Sequence, residues 1–322
     1  MSQYPLISVI IPVYNTEKYI EQALNSVLDE DYPNKEIVII NDGSTDNTAY
    51  VIENWINRHK NDINIIFKSR KNKGVTKTLN ELIDISNGEY IVFFGSDDCL
   101  KNNGISKRYE YLTQYPDKLM VWADCDVIDS NGNILFTSAL VSIGNANKKL
   151  LLSDDGLKKY MTLNGYSPGA TLMAKKKVYE MLGKYDESLH TEDWVYLIKA
   201  CAYNVLGYVD ETVASYRLHK SNTCYSEKLI LIAQEQLQVA IKSPRYFKEF
   251  KYKFYLLLKI VYMLIFIPYL SLKMKLLGLS EKYKQQKILG IIFKSLLHIS
   301  EFIKNIFIFL TNKIFDKKGK SK

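Results

Sequence analysis

Glu89-Tyr-Ile-Val-Phe-Phe-Gly-Ser-Asp97-Asp98 is the stretch whose reading decides the fold. Residues 90–94 are apolar throughout, with β-branched and aromatic side chains, which predicts a strand buried on both faces. Gly95, Ser96 and two adjacent carboxylates then fall just past its carboxyl end, where open α/β sheets bind ligands. Two neighbouring aspartates repel each other unless something positive lies beside them. A divalent cation shared with phosphate oxygens would supply that charge. A solvated turn that caps the next helix is the alternative reading of Asp97 and Asp98.

Towards the N-terminus the same pattern recurs. Residues 6–13, Leu-Ile-Ser-Val-Ile-Ile-Pro-Val, read as a strand with Pro12 near its end. Tyr14-Asn15 makes a turn, and Asn15 or Thr16 can cap a helix over 17–29, where Tyr19, Ile20, Ala23, Leu24, Val27 and Leu28 share one side. Residues 36–40 read as a second buried strand. Asn41-Asp42-Gly43-Ser44-Thr45-Asp46 follows, with Ser44 or Thr45 as a cap for a helix over 46–60. A strand over 63–68 and a helix over 75–86 complete a β-α-β-α-β-α-β order. That order predicts a mostly parallel sheet with helices on both faces, and puts Asp42 and the Asp97/Asp98 pair on one edge. No G-x-G-x-x-G and no Walker lysine loop is present, which disfavours hydride transfer and P-loop chemistry.

Towards the C-terminus, residues 119–137 read as two strands around the Asn131-Gly132 turn. Helices are expected over 154–163, 178–182 and 194–204, and strands near 167–174 and 212–219. Thr191 or Asp193 can be the N-cap of the helix at 194. After Tyr225 the character changes. Residues 1–225 carry 24 Lys+Arg and 29 Asp+Glu, whereas residues 226–322 carry 19 and 6. The net charge of +8 therefore belongs to the C-terminal third. A uniformly basic field would suggest nucleic acid; a basic and strongly apolar tail suggests an anionic membrane surface instead. Residues 226–242 read as an amphipathic helix broken at Pro244. Phe254–Leu272 is almost wholly apolar, with Lys259 able to snorkel. Residues 288–310 carry Lys294, His298, Glu301 and Lys304 on one broad face, and residues 313–322 are basic and expected to be disordered. Interfacial helices are the favoured reading; a membrane span and an ordinary helical packing module are the alternatives.

The organisation expected is a catalytic domain over 1–225 and a helical, membrane-surface region over 226–322. Cys99, Cys125, Cys201 and Cys224 form no C-x-x-C pair, which argues against zinc. Met1 leads into a strand without a basic start or a cleavage site, which reads as no signal peptide. The expected setting is the cytoplasm, peripheral on the inner face of the cell membrane.

Taken together, these pieces resemble glycosyltransferase family 2, the inverting enzymes with the GT-A fold. The resemblance rests on Ser8-Val-Ile-Ile-Pro-Val-Tyr-Asn15, on Glu36-Ile-Val-Ile-Ile-Asn-Asp42-Gly-Ser-Thr-Asp46 and on Asn72-Lys-Gly74 with Leu79-Asn80 and Asn87-Gly88. It rests further on Ser96-Asp97-Asp98, which is similar to the DXD-type motif, on Glu192-Asp193-Trp194, and on Tyr216-Arg-Leu-His219 followed by Asn222. It covers about residues 6–224.

The resemblance implies a nucleotide-sugar donor, a UDP-sugar by preference, and Mn²⁺ or Mg²⁺. It implies that Asp98 holds the metal and that Asp97 is a second ligand or a ribose contact. Asp42 would contact base or ribose, and Pro12, Val13, Tyr14 and Asn15 would wrap the base. His219 would touch metal or diphosphate. Asp193 would be the general base, with Glu192 orienting it or the acceptor. Two departures stand out. Gly95 occupies a place where the family often has Asp, and Leu79 one where Arg is frequent, with Lys77 as the possible substitute. The Q-x-x-R-W signature of processive synthases is absent, which implies one sugar per encounter. A glycan or lipid-linked glycan acceptor in surface-polysaccharide synthesis is expected, with a homo-oligomer left open. Transfer to a polyprenyl phosphate, and an inactive membrane-associated scaffold, are the alternatives.

Overall fold

The apolar strand Ile7–Val13 (β1) lies inside the sheet, with β-strands on both sides. The computed structural model describes residues 4–189, 192–219, 222 and 229–282, without the side chains of 192, 229 and 269–282. From β1 the chain runs through α1 (Ile20–Leu28), β2 (Lys35–Asn41), α2 (Thr48–His59), β3 (Asn64–Ser69), α3 (Val75–Ile85) and β4 (Tyr90–Phe93). The four strands pair in parallel in the order β3-β2-β1-β4. Both faces are covered, which is why these strands are apolar rather than alternating. Val9 and Ile11 enter a core shared with Ala23 and Leu24 of α1 and Trp55 of α2, while Ile10 enters a core shared with Leu79 and Leu82 of α3.

Two caps differ from expectation. Helix α1 starts after Tyr19 and has no side-chain cap. Thr16 instead donates its N–H to Thr48 Oγ1 at 2.9 Å, which ties the turn after β1 to α2. At the start of α2, Asp46 Oδ1 accepts from Thr48 N at 3.0 Å, while Ser44 and Thr45 face Asn15.

The chain continues through β5 (Cys99–Leu100), α4 (Gly104–Gln114), β6 (Met120–Ile128), β7 (Ile134–Phe136), α5 (Ala139–Ser142), α6 (Lys148–Leu151), α7 (Asp154–Leu163), a 3-10 turn (Gly169–Thr171), β8 (Met173–Lys175), α8 (Val178–Leu182), α9 (Glu192–Ala202) and β9 (Leu206–Arg217). The sheet extends as β4-β8-β6-β9-β5, with β7 on β6. Strand β8 runs antiparallel to β4 and β6, β5 antiparallel to β9, and β6 parallel to β9. The mostly parallel expectation therefore holds for the first four strands and gives way to a mixed second half. A strand of three residues, such as β8, carries no pattern from which its direction can be read. The β6–β7 hairpin forms as expected around Asp129–Asn133.

Beyond residue 228 come α10 (Leu229–Lys242), a 3-10 turn (Ser243–Tyr246) that contains Pro244, and α11 (Phe250–Lys282). A third core joins Trp194 and Ile198 of α9 to Val239 and Ala240 of α10, Phe247, and Tyr252 and Leu256 of α11. The C-terminal helices are thus built onto α9. No described helix is long and apolar enough to cross a membrane. The expected helix over 288–310 and the basic end at 313–322 lie outside the described residues.

Candidate active site

In the parallel half, β1, β2 and β4 all end on one edge of the sheet. From β1 the strand order leaves in opposite directions, to β2 and to β4, and the crevice at such a reversal is the ligand position of open α/β sheets. Asn15 turns there with φ 53°, a left-handed conformation that Asn tolerates. Its N–H donates to Ser44 Oγ at 2.9 Å, and its Oδ1 accepts from Thr45 N at 2.8 Å. The loops after β1 and β2 are therefore one unit. Of the four residues expected to wrap a base, Tyr14 and Asn15 are exposed and Pro12 is half-buried. The Val13 side chain is buried in the core, so only its backbone is on offer, and its carbonyl accepts from Asp42 N at 2.8 Å.

Asp42 is buried and accepts from Lys73 N at 2.7 Å and Gly74 N at 2.9 Å. Its cationic partner is Arg70, which also donates to Glu81 Oε2 and to Thr78 Oγ1, each at 2.9 Å. Arg70 was not among the expected site residues. The signal was available: it is the basic residue just past the end of β3, one strand over from Asp42. Lys77 is exposed on the first turn of α3 and makes no ion pair among the described residues. Leu79 is packed into the core, so the cation brought to Asp42 comes from the β3 end.

After β4 the chain turns tightly at Gly95. A Cβ there would lie 2.6 Å from Asp98 Oδ2 and 3.1 Å from Asp97 Oδ1. Glycine at this position lets both carboxylates fold back over the turn. A third Asp at 95 would displace Asp98 from the position it holds here. Asp98 is buried, and its Oδ1 accepts from Arg217 N at 2.9 Å. Burial, then the adjacent Asp97 charge, push its carboxyl well above the usual carboxylate range. Asp97 Oδ2 lies 2.8 Å from His219 Nε2, and the His219 ring packs on Tyr19 with centroids 4.8 Å apart.

Arg217 organises this cluster. Its buried guanidinium donates to the Asp97 carbonyl at 2.7 Å, to Gln22 Oε1 at 2.7 Å and to the Asp129 carbonyl at 3.2 Å, and lies 5.0 Å over the Tyr19 ring. Asn222 donates to the Arg217 carbonyl at 3.1 Å and accepts from His219 N at 2.5 Å. The sequence reading recognised the Tyr216–His219 motif but gave Arg217 no role. Among the described residues no three or more His, Cys, Asp or Glu side chains gather to hold a metal by themselves. Two adjacent carboxylates, one buried and one half-buried, fit a hard cation whose other ligands are phosphate oxygens.

Asp193 is the second residue of α9, so it is not the N-cap. It is half-buried, its Oδ1 accepts from Trp194 N at 2.7 Å, and desolvation pushes its carboxyl up. Trp194 Nε1 donates to the Met161 carbonyl at 2.9 Å. Gly165, with φ 70°, permits this approach: a Cβ there would lie 2.0 Å from the indole nitrogen. Glu192 begins the helix, and its side chain and Thr191 lie outside the description. Helix α3 joins the two sides of the site. It starts beside Gly74, which binds Asp42, and its Thr76 Oγ1 donates to the Leu189 carbonyl at 2.8 Å. Its Asn80 exchanges hydrogen bonds with the Tyr185 backbone at 3.0 and 3.1 Å. The lead into Asp193 is thereby fixed to the Asp42 loop.

Residues 8–181, more than half of the chain, match the family model described as Glycosyl transferase family 2. An uncharacterised glycosyltransferase of Rickettsia typhi is 28% identical over 221 residues, covering 68% of this chain and 66% of that protein. Glycosyltransferase GlyG of Streptococcus pneumoniae serotype 4 is 31% identical over 131 residues, covering 41% and 43%. The chain thus spans less than two thirds of the length of these relatives. Among solved structures, S. aureus TarS 1-349 in complex with UDP-GlcNAc aligns with a TM-score of 0.56 at 20% identity, covering 73% of this chain and 65% of that one. The mannosyltransferase PcManGT from Pyrobaculum calidifontis, in complex with GDP-Man and Mn²⁺, aligns with a TM-score of 0.62 at 18% identity, covering 95% and 88%. At these identities the likeness is one of fold, a GT-A-like α/β architecture. By the extent of the family match, the chain belongs to glycosyltransferase family 2.

Proposed function

We propose that this protein transfers one sugar from a nucleoside-diphosphate sugar to a hydroxyl of a glycan or lipid-linked glycan, with inversion at the anomeric carbon. A UDP-sugar is the donor we favour. The observation that carries the reading is the Asp97/Asp98 pair, with Asp98 buried and Asp97 half-buried, clamped by Arg217 at the strand-order reversal. Two like charges held this close ask for a cation, and a nucleoside diphosphate brings one. The titles of the TarS and PcManGT structures support the choice of ligand, since they name UDP-GlcNAc, and GDP-Man with Mn²⁺.

In this reading Asp42 and Arg70 face the base or ribose, with the Tyr14-Asn15 turn alongside. Asp98 and Asp97 would hold Mn²⁺ or Mg²⁺, and His219, 2.8 Å from Asp97 Oδ2, would serve the metal or the diphosphate. The metal, when bound, stabilises the charge that develops on the leaving diphosphate. Asp193 takes the acceptor proton as the hydroxyl oxygen attacks the anomeric carbon and the bond to the diphosphate breaks. Its raised pKa makes it a better base than an ordinary carboxylate. Glu192 orients the acceptor. The setting we assign is the cytoplasmic face of a membrane, in the synthesis of a surface polysaccharide.

Calorimetric titration with UDP, GDP and CMP, each with and without Mn²⁺, tests the reading. Metal-dependent binding of one nucleotide, lost in Asp98→Asn, is the expected result. Binding of none of the three, with or without metal, would overturn it.

A further inference from the structure

One face of α11 takes no part in the site or in the third core. Phe250, Phe254, Leu257, Val261 and Leu264 recur at alternating steps of four and three residues and are 79, 41, 51, 43 and 57% exposed. Ile265, 51% exposed, widens the stripe. At 1.5 Å per residue it runs for about 22 Å. The opposite face of the helix is committed, with Tyr252, Leu256 and Met263 buried.

Charge identifies the occupant. From Phe250 to Ser280 the chain carries Lys251, Lys253, Lys259, Lys273 and Lys275 and no Asp or Glu. A second copy docking on this seam would bring lysines against lysines, with no carboxylate between Phe250 and Ser280 of either helix to pair them. A bilayer with anionic headgroups offers an apolar layer for the stripe and negative charge for its rim. No described helix is long and apolar enough to cross, so the fit is to lie in the interface.

We propose that the outer face of α11 docks on an anionic lipid bilayer and thereby holds the Asp193 end of α9 about one helix diameter from the headgroups. The link runs through Lys259. Its Nζ lies 5.5 Å over the Trp194 ring and 3.4 Å from the Asn164 carbonyl, so α11 packs directly on the residue after Asp193. A helix with its side chains is about 10 Å across. That spacing suits an acceptor whose first sugars sit on a lipid anchor. This last step rests on Asp193 being the base; the docking itself does not.

The test is flotation of the full chain with vesicles of phosphatidylcholine alone or mixed with phosphatidylglycerol. The expected result is binding to the mixed vesicles only, weakened by salt. It should fall at least about tenfold in the double variant L257E/L264E and less in K253E, a fall that reads as at least about 1.4 kcal/mol of docking free energy. All of these positions are exposed, and unchanged thermal unfolding of the variants verifies that the fold is kept. Undiminished binding of L257E/L264E would overturn the proposal and assign any membrane contact to residues beyond 282. So would absence of wild-type binding, or a wild-type dimer that L257E/L264E dissociates. For the placement of α9, tryptophan quenching by headgroup-labelled lipid should drop in Trp194→Phe; no drop would overturn that placement. None of these readouts uses a sugar donor, so their failure is separable from failure of the proposed reaction.

Discussion

The Arg217 N–H donates to Asp98 Oδ1 at 2.9 Å, joining the end of β9 to a turn 119 residues earlier in the chain. The same residue's guanidinium holds the Asp97 carbonyl and stacks over Tyr19. The carboxylate pair is therefore set by β9, not by its own loop. Arg217→Lys keeps a charge but loses the planar fork. It should cost about 3 kcal/mol, the loss typical of breaking a buried charged network. A urea midpoint within experimental error of wild type would contradict this.

Asp98 binds its proton more tightly folded than unfolded, because burial and Asp97 both oppose its charge. Ionising it therefore costs stability, and without divalent ions the protein should lose stability as pH rises from about 4 towards the raised folded value. Asp98→Asn removes that loss. The variant should melt about 1–2 °C above wild type at pH 7.5 without metal, the shift expected for about 1 kcal/mol in a chain of this size. The gap should close below about pH 4. A gap that persists unchanged in acid would rule out the Asp98 charge as its source.

Gly95→Ala places a methyl group 2.6 Å from Asp98 Oδ2. The carboxylate must move, so nucleotide binding in Mn²⁺ should weaken by about tenfold, or 1.4 kcal/mol. Binding without metal should change little. Calorimetry with and without Mn²⁺ separates the two, and an equal loss in both would point to general damage.

Asp193→Asn should lower transfer by about 10²–10⁴-fold, the usual range for loss of a general base, with nucleotide affinity unchanged. In the wild type, kcat/KM should fall on the acid side with a midpoint above that of an ordinary carboxylate, since desolvation raises Asp193. Strong residual transfer by the Asn variant would remove Asp193 from this role.

Thr76 tests the bridge between the two sides. Thr76→Val removes the hydrogen bond to the Leu189 carbonyl. With about 1 kcal/mol at stake, kcat should fall about fivefold while nucleotide affinity holds. A loss confined to nucleotide affinity would show that α3 serves the donor side alone.

Much of this molecule is legible without coordinates. The apolar runs 7–13, 36–40 and 90–94, each followed by polar residues and a helix, are enough to place Asp42 and Asp97/Asp98 on one sheet edge. They suffice because a strand buried on both faces must be apolar throughout and because parallel neighbours need crossovers. What local pattern could not reveal is whatever depends on partners distant in sequence. The direction of β8 is decided by its neighbours β4 and β6, since three residues carry no period. Arg217 reads as an ordinary basic residue until the fold sets it under Asp97. Gly95 reads as a missing carboxylate until the close approach of Asp98 shows that the space is already taken. The C-terminal helices read as an appendage, yet one face of α11 is core for α9. Periodicity reports that a residue is apolar; only tertiary packing decides what it is buried against.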